Sequence, residues 1–138
     1  MSEQEIHKIC EKYDIISYTI NPDGSIDVDG DVIIAYKFIS KIPIKFNKVT
    51  GYFSCSYNCL TTLENSPNEV GKSFCCYSNR LTSLEGGPKI VNDDLDCGFN
   101  KLTSLKGSPG LVRGLFNCQY NNLTSLEDHP SVLGNRIY

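Results

Sequence analysis

No run of about 18 consecutive apolar residues occurs in the chain, so no helix of it is expected to span a membrane. The opening Met1-Ser2-Glu3-Gln4-Glu5 lacks the basic and apolar regions of an export signal. Basic residues are few: 13 Lys and Arg stand against 16 Asp and Glu, for a net charge of -3. A nucleic-acid binder needs a basic face to neutralise phosphates, so nucleic acid is not an expected partner. Histidine is scarcer still, with only His7 and His129, neither at metal-ligand spacing. The one glycine-rich stretch, Leu84-Glu85-Gly86-Gly87-Pro88, opens no helix and so cannot act as a phosphate cradle. What remains is a cytoplasmic chain of 138 residues whose 40% hydrophobic content is enough to bury one core.

Cysteine, by contrast, is abundant. Seven cysteines in a chain without an export signal point to free thiols in a reducing compartment, and an odd number fits a disulfide framework poorly. Four of them are evenly spaced. Cys55, Cys76, Cys97 and Cys118 are each 21 residues apart, and so are Asn58, Asn79, Asn100 and Asn121. The same step joins Leu60, Leu81, Leu102 and Leu123; Leu63, Leu84, Leu105 and Leu126; and Pro67, Pro88, Pro109 and Pro130. It also joins Phe53, Phe74, Leu95 and Phe116, and Val70, Val91, Val112 and Leu133. One step back, Val32, Ile34, Ile39, Ile42 and Val49 keep the apolar positions, with Lys37 in place of Asn. One step beyond Phe116 is Ile137.

Each unit reads apolar-x-Cys-x-x-Asn-x-Leu-x-x-Leu, followed by a polar stretch with a Pro. Phe53-Ser54-Cys55 alternates as a half-buried strand does. The Asn follows where the chain turns out of the strand, and its amide can satisfy backbone groups left without sheet partners. One unit covers only one side of its apolar cluster, so the units must stack. Stacking makes one parallel ribbon of short strands and a ladder of identical Asn residues. No unit holds a helical pattern ten residues long, so the outer side should be loops or turns.

This pattern resembles the leucine-rich repeat, whose signature is L-x-x-L-x-L-x-x-N/C-x-L. The short period with Pro on the return is similar to repeats of secreted bacterial effectors and, more closely, to small repeat proteins of tailed phages and bacteria. The resemblance covers roughly residues 30–138. It departs at the signature's first Leu, which falls on Thr50, Gly71, Asn92 and Arg113, with the apolar residue one place earlier. A small shift or bulge is expected there. The resemblance implies a leucine-rich-repeat solenoid and a phage or bacterial factor that binds and modulates a host or defence protein, in the host cytoplasm if phage-encoded.

Residues 1–29 read as a cap and residues 30–138 as the solenoid, five units and a terminal strand, in one structural domain. Ser2 and Glu5 make a capping box for a helix whose Ile6, Ile9, Cys10 and Tyr13 share one face. Ile16–Ile20 and Ser25–Asp29 flank Asn21-Pro22-Asp23-Gly24, which is turn chemistry for a hairpin.

Searching for chemistry finds no catalytic constellation, so an enzyme is not expected, and neither is a cofactor. A linear ladder of cysteines does not surround one tetrahedral metal, and parallel Cβ vectors do not form disulfides, so the ladder reads as core. Cys75 lies off the ladder and faces outward, as a reactive or interface thiol or as a passive one. Asp93, Asp94 and Asp96 form the one tight acidic cluster, a partner-facing patch rather than a calcium site.

The alternation that sends Phe53 and Cys55 inward sends Tyr52, Ser54 and Ser56 outward. Their equivalents are Ser73, Cys75 and Tyr77; Asp94, Asp96 and Gly98; Leu115, Asn117 and Gln119; and Arg136 and Tyr138, with Asp31, Ile33 and Ala35 in the degenerate unit. Interior positions repeat while these vary, as a scaffold with a specific surface requires; an unconstrained solvent face is the bland alternative. Tyr and Arg are types enriched at binding hot spots. This face is the expected protein-binding site. A homodimer through the C-terminal strand edge, Asn135–Tyr138, is the alternative, because an open edge invites pairing.

Overall fold

A computed structural model describes all 138 residues. It is a solenoid of about 5 stacked coils with a helix and a hairpin at its N-terminal end. Helix α1 (Glu3–Lys12) starts at Ser2, whose hydroxyl oxygen accepts from the Glu5 backbone N–H at 3.2 Å and donates to the Glu5 carboxylate at 3.3 Å. The expected box is therefore present, with its carboxylate on the Ser2 hydroxyl rather than on the backbone. Ile6 and Cys10 seat the helix on the first coil.

Strands β1 (Tyr18–Ile20) and β2 (Ile26–Val28) pair antiparallel, Thr19 opposite Asp27. The turn holds because the Asp23 carboxylate accepts from the Ser25 backbone N–H at 3.0 Å, while Gly24 takes a φ of 85° that a side chain would resist. The coils then contribute β3 (Val32–Ile33), β4 (Phe46–Val49), β5 (Phe53–Ser54), β6 (Glu69–Val70) and β7 (Phe74–Cys75). They continue with β8 (Ile90–Val91), β9 (Leu95–Asp96), β10 (Leu111–Val112), β11 (Phe116–Asn117) and β12 (Val132–Leu133).

Two sheets result, both parallel along the solenoid. One runs β3-β5-β7-β9-β11, the ribbon expected from the Phe row, and Ile137 adds a single bridge to Phe116. Its register keeps the 21-residue step: Phe53 opposite Phe74, Cys75 opposite Asp96, Asp96 opposite Asn117. The other runs β1-β2-β4-β6-β8-β10-β12 and was not foreseen. It lies where the repeat departs from the leucine-rich signature. The departure is a corner between two strands rather than a bulge within one. At this corner Gly71 faces the backbone of Thr50 in the preceding coil so closely that a Cβ would collide with its carbonyl. The hairpin joins this second sheet through β2 and β4, Val28 opposite Val49, so the cap extends the coils instead of merely covering them.

The interior is one continuous cluster of 29 buried residues, from Ile6 to Cys118. Phe53 and Phe74 stack with centroids 5.4 Å apart, and Leu60, Leu81 and Leu102 lie inward of the Asn row. Each such side chain removed from water contributes roughly 1.5–3 kcal/mol, which is why a 21-residue coil with two two-residue strands holds its shape.

Candidate functional site

The Asn row sets the geometry of the open face. Asn100 donates through Nδ2 to the carbonyls of Cys76 at 3.0 Å, Cys97 at 3.1 Å and Gly98 at 3.2 Å, and its Oδ1 accepts from the Leu81 N–H at 3.1 Å. Asn121 bonds in the same pattern, and Asn79 does so with two carbonyls rather than three. Each amide thereby ties its own turn to the coil before it. The ladder runs through backbone rather than from Asn to Asn.

One residue before each Asn, and before Lys37 in the degenerate unit, the chain enters the left-handed region. Tyr36, Tyr57, Ser78, Phe99 and Tyr120 have φ values of 58°, 55°, 60°, 53° and 59°. At the loop-side corner the same conformation belongs to Asn65, Gly86, Gly107 and Asp128, types that tolerate it. The open face carries aromatic rings there instead. The rings form a line: Tyr36–Tyr57 at 4.5 Å, Tyr57–Tyr77 at 5.5 Å, Tyr77–Phe99 at 5.0 Å and Phe99–Tyr120 at 4.2 Å. Where Ser78 interrupts the row, Tyr77 from the adjacent position fills the gap. This row was missed in the sequence, apart from Tyr77. Its signal was available, since Tyr36, Tyr57, Phe99 and Tyr120 also lie 21 or 42 residues apart.

Beside the rings are the predicted face residues. Ser73, Cys75, Asp94, Asp96, Leu115, Asn117, Gln119 and Tyr138 line one hollow of about 420 Å³. Ser54, Ser56, Cys75, Tyr77 and Asp96 line a second of about 350 Å³, with Ala35, Tyr36 and Tyr57. Tyr52 stands at the margin, where the Lys72 ammonium lies 5.3 Å from its ring centre, and Arg136 lies likewise 5.4 Å from that of Tyr138. Ser56 and Gly98 need one correction: both are buried rather than open, Gly98 beneath the Tyr77 ring and Ser56 at the floor of the second hollow, while the turn residues Tyr57 and Phe99 that follow them are exposed.

Asp96 is half buried; burial raises its carboxyl above the usual range despite the Gly98 N–H at 2.9 Å. Burial likewise raises the Tyr77 hydroxyl, with Tyr57, Asp96 and Tyr120 adding to the effect. No group of three or more His, Cys, Asp and Glu side chains converges as a metal site would require. No family model matches the chain. Neither does any curated protein or solved structure.

The four ladder cysteines are buried free thiols, and burial pushes all four upward. Cys75 is half-exposed at the junction of the two hollows. Burial, then the charges of Asp96 and Asp94, raise it from 9.0 to about 11. The thiolate is the nucleophile, so below this range Cys75 should react with iodoacetamide roughly 100-fold more slowly than an unperturbed thiol. Peptide mapping of native against urea-unfolded chain measures this. Equal rates at pH 8 would contradict the assigned environment.

Proposed function

We propose that the chain is a protein-binding module of leucine-rich-repeat type that holds its partner on the open face, and that it is not an enzyme. The observation that carries this reading is the contrast between inside and outside. Buried positions repeat coil after coil, while the outward row Ser54, Cys75, Asp96, Asn117 changes chemistry at every step beside two adjoining hollows. A uniform interior builds a scaffold, and a varied, aromatic-rich exterior gives it selectivity. The phage or bacterial setting rests on the resemblance of the repeat alone.

The test is affinity capture from the native host's lysate, with wild type beside a variant carrying Tyr52→Ala, Tyr77→Ala and Asp96→Ala. A partner captured by the wild type and lost by the variant is the expected result. Equal capture by both would remove the open face from consideration.

A second reading has its own observation. In the last coil Leu126 is 49% exposed, whereas its counterparts Leu63, Leu84 and Leu105 are 0–2% exposed, and Val132 is 57% exposed. Exposed apolar positions of this kind, next to an open strand edge, favour self-association through that end. A mass that stays monomeric in sedimentation at the highest attainable concentration would rule this out.

A further inference from the structure

We propose that the aromatic line and the two hollows beside it form a docking groove for a basic segment of a partner protein, with an arginine side chain seated against Asp96 and the rings of Tyr77 and Phe99. The inference rests on the reading of the chain as a protein-binding module and specifies the partner's chemistry. It begins from the backbone. A left-handed φ strains a residue that carries a side chain, and the loop-side corner shows that Asn, Gly or Asp satisfies the same geometry. Nothing in the coil requires a bulky ring at Tyr36, Tyr57, Phe99 or Tyr120. Stacking between neighbours returns part of that cost, yet Tyr36, Tyr57, Phe99 and Tyr120 remain 67%, 45%, 44% and 69% exposed. Strained residues that keep large apolar area in water mark a surface retained for contact.

The occupant follows from charge. Tyr77 bridges the break at Ser78 and lies close over Gly98; a Cβ there would lie 3.3 Å from the ring and 3.2 Å from the Asp96 carboxylate. Asp96, with Cys75, borders both hollows. Neither hollow is lined by Lys or Arg, whereas Asp94 and Asp96 both line the larger. The three ion pairs of the chain, Lys45–Asp23, Lys48–Glu69 and Lys106–Glu85, all lie elsewhere. Asp96 is thus a half-buried anion whose polar contacts, Gly98 and Asn117, bring no compensating cation. The Tyr77 ring shares the second hollow with Asp96 and meets the Phe99 ring at 54°, and Phe99 stays 44% exposed. A guanidinium satisfies both features, since it bonds a carboxylate through its planar donors and stacks on aromatic faces. An anionic partner would be repelled, and a neutral glycan would leave Asp96 uncompensated.

The experiment uses a fluorescein-labelled peptide, Gly-Arg-Ser-Gly-Arg-Ser-Gly-Arg-Gly, and the same peptide with citrulline at every arginine. Citrulline keeps the shape and removes the charge. Anisotropy titrations compare the wild type, Asp96→Asn, Tyr77→Leu and Glu11→Gln, the last losing the same charge on the N-terminal helix. Unchanged far-UV circular dichroism shows that each variant folds. Binding of the arginine peptide should weaken at least about tenfold on citrulline replacement and on Asp96→Asn, weaken also in Tyr77→Leu, and stay unchanged in Glu11→Gln. No binding, equal binding of both peptides, equal weakening by Glu11→Gln, or displacement by cellohexaose would each overturn the proposal. If lysate capture depends on the open face while the arginine peptide neither binds nor competes, the module reading stands and this proposal falls.

Discussion

Replacing Asn100 by Ala should lower folding stability by on the order of 3 kcal/mol, measured by equilibrium unfolding in urea. The change deletes an amide that serves three carbonyls and one N–H across two adjacent coils. Because Asn100 is buried, water does not reach the groups left behind, and each unsatisfied polar group carries its own desolvation cost. Asn100→Asp should be worse than Ala, since a carboxylate puts an acceptor oxygen where Nδ2 donated to three carbonyl oxygens. The matching control is Asn121→Ala in the last, more open coil. Asn121 is half buried, so solvent can replace its bonds and the loss should be about 1 kcal/mol. Equal losses at the two positions would mean that burial does not govern the ladder.

Phe74→Ala should cost about 4 kcal/mol, within the range for emptying a buried aromatic site. The ring is fully buried and stacks on Phe53, while the next coil offers the smaller Leu95 at the same position. A solenoid transmits stability only from neighbour to neighbour. A void in the third coil therefore weakens the junction between the helix-capped coils and the last two. Beyond the lower midpoint, we expect the single unfolding transition to broaden or divide, with the coils from Leu95 onward exchanging their amide hydrogens first. Uniform exchange along the chain, with one sharp transition, would show that the coils do not uncouple there.

Much of the fold was legible from period alone. The 21-residue recurrence of Phe, Cys, Asn and Leu dictated stacked coils, one strand row and an Asn ladder, because identical residues at equal steps can be buried together only if the coils superpose. Ser2 and Glu5, and Pro22-Asp23-Gly24, marked the helix start and the hairpin turn through local chemistry that needs no distant contact. The second sheet was harder to see. Its strands are mostly two residues long, too short for alternation to register, and they exist because Val49, Val70, Val91 and Val112 align between coils.

The open face divides the same way. Tyr52, Ser73, Asp94 and Leu115 lie beside the strand that period two predicted, whereas Ser56, two residues past the end of the strand at Ser54, is buried at the floor of a hollow lined also by Tyr57 and Tyr77. The sequence by itself determined the repeat, the identity of the buried rows and the variety of the outer one, since these follow from spacing and hydrophobicity. Only the tertiary structure decided that Tyr36, Tyr57, Tyr77, Phe99 and Tyr120 meet in one line and that Asp96 lies beside it without a cation. The reason is physical: a left-handed turn aims a side chain in a direction that alternation does not describe, and Tyr77 lies close over a glycine of the next coil, where a Cβ would be a tight fit.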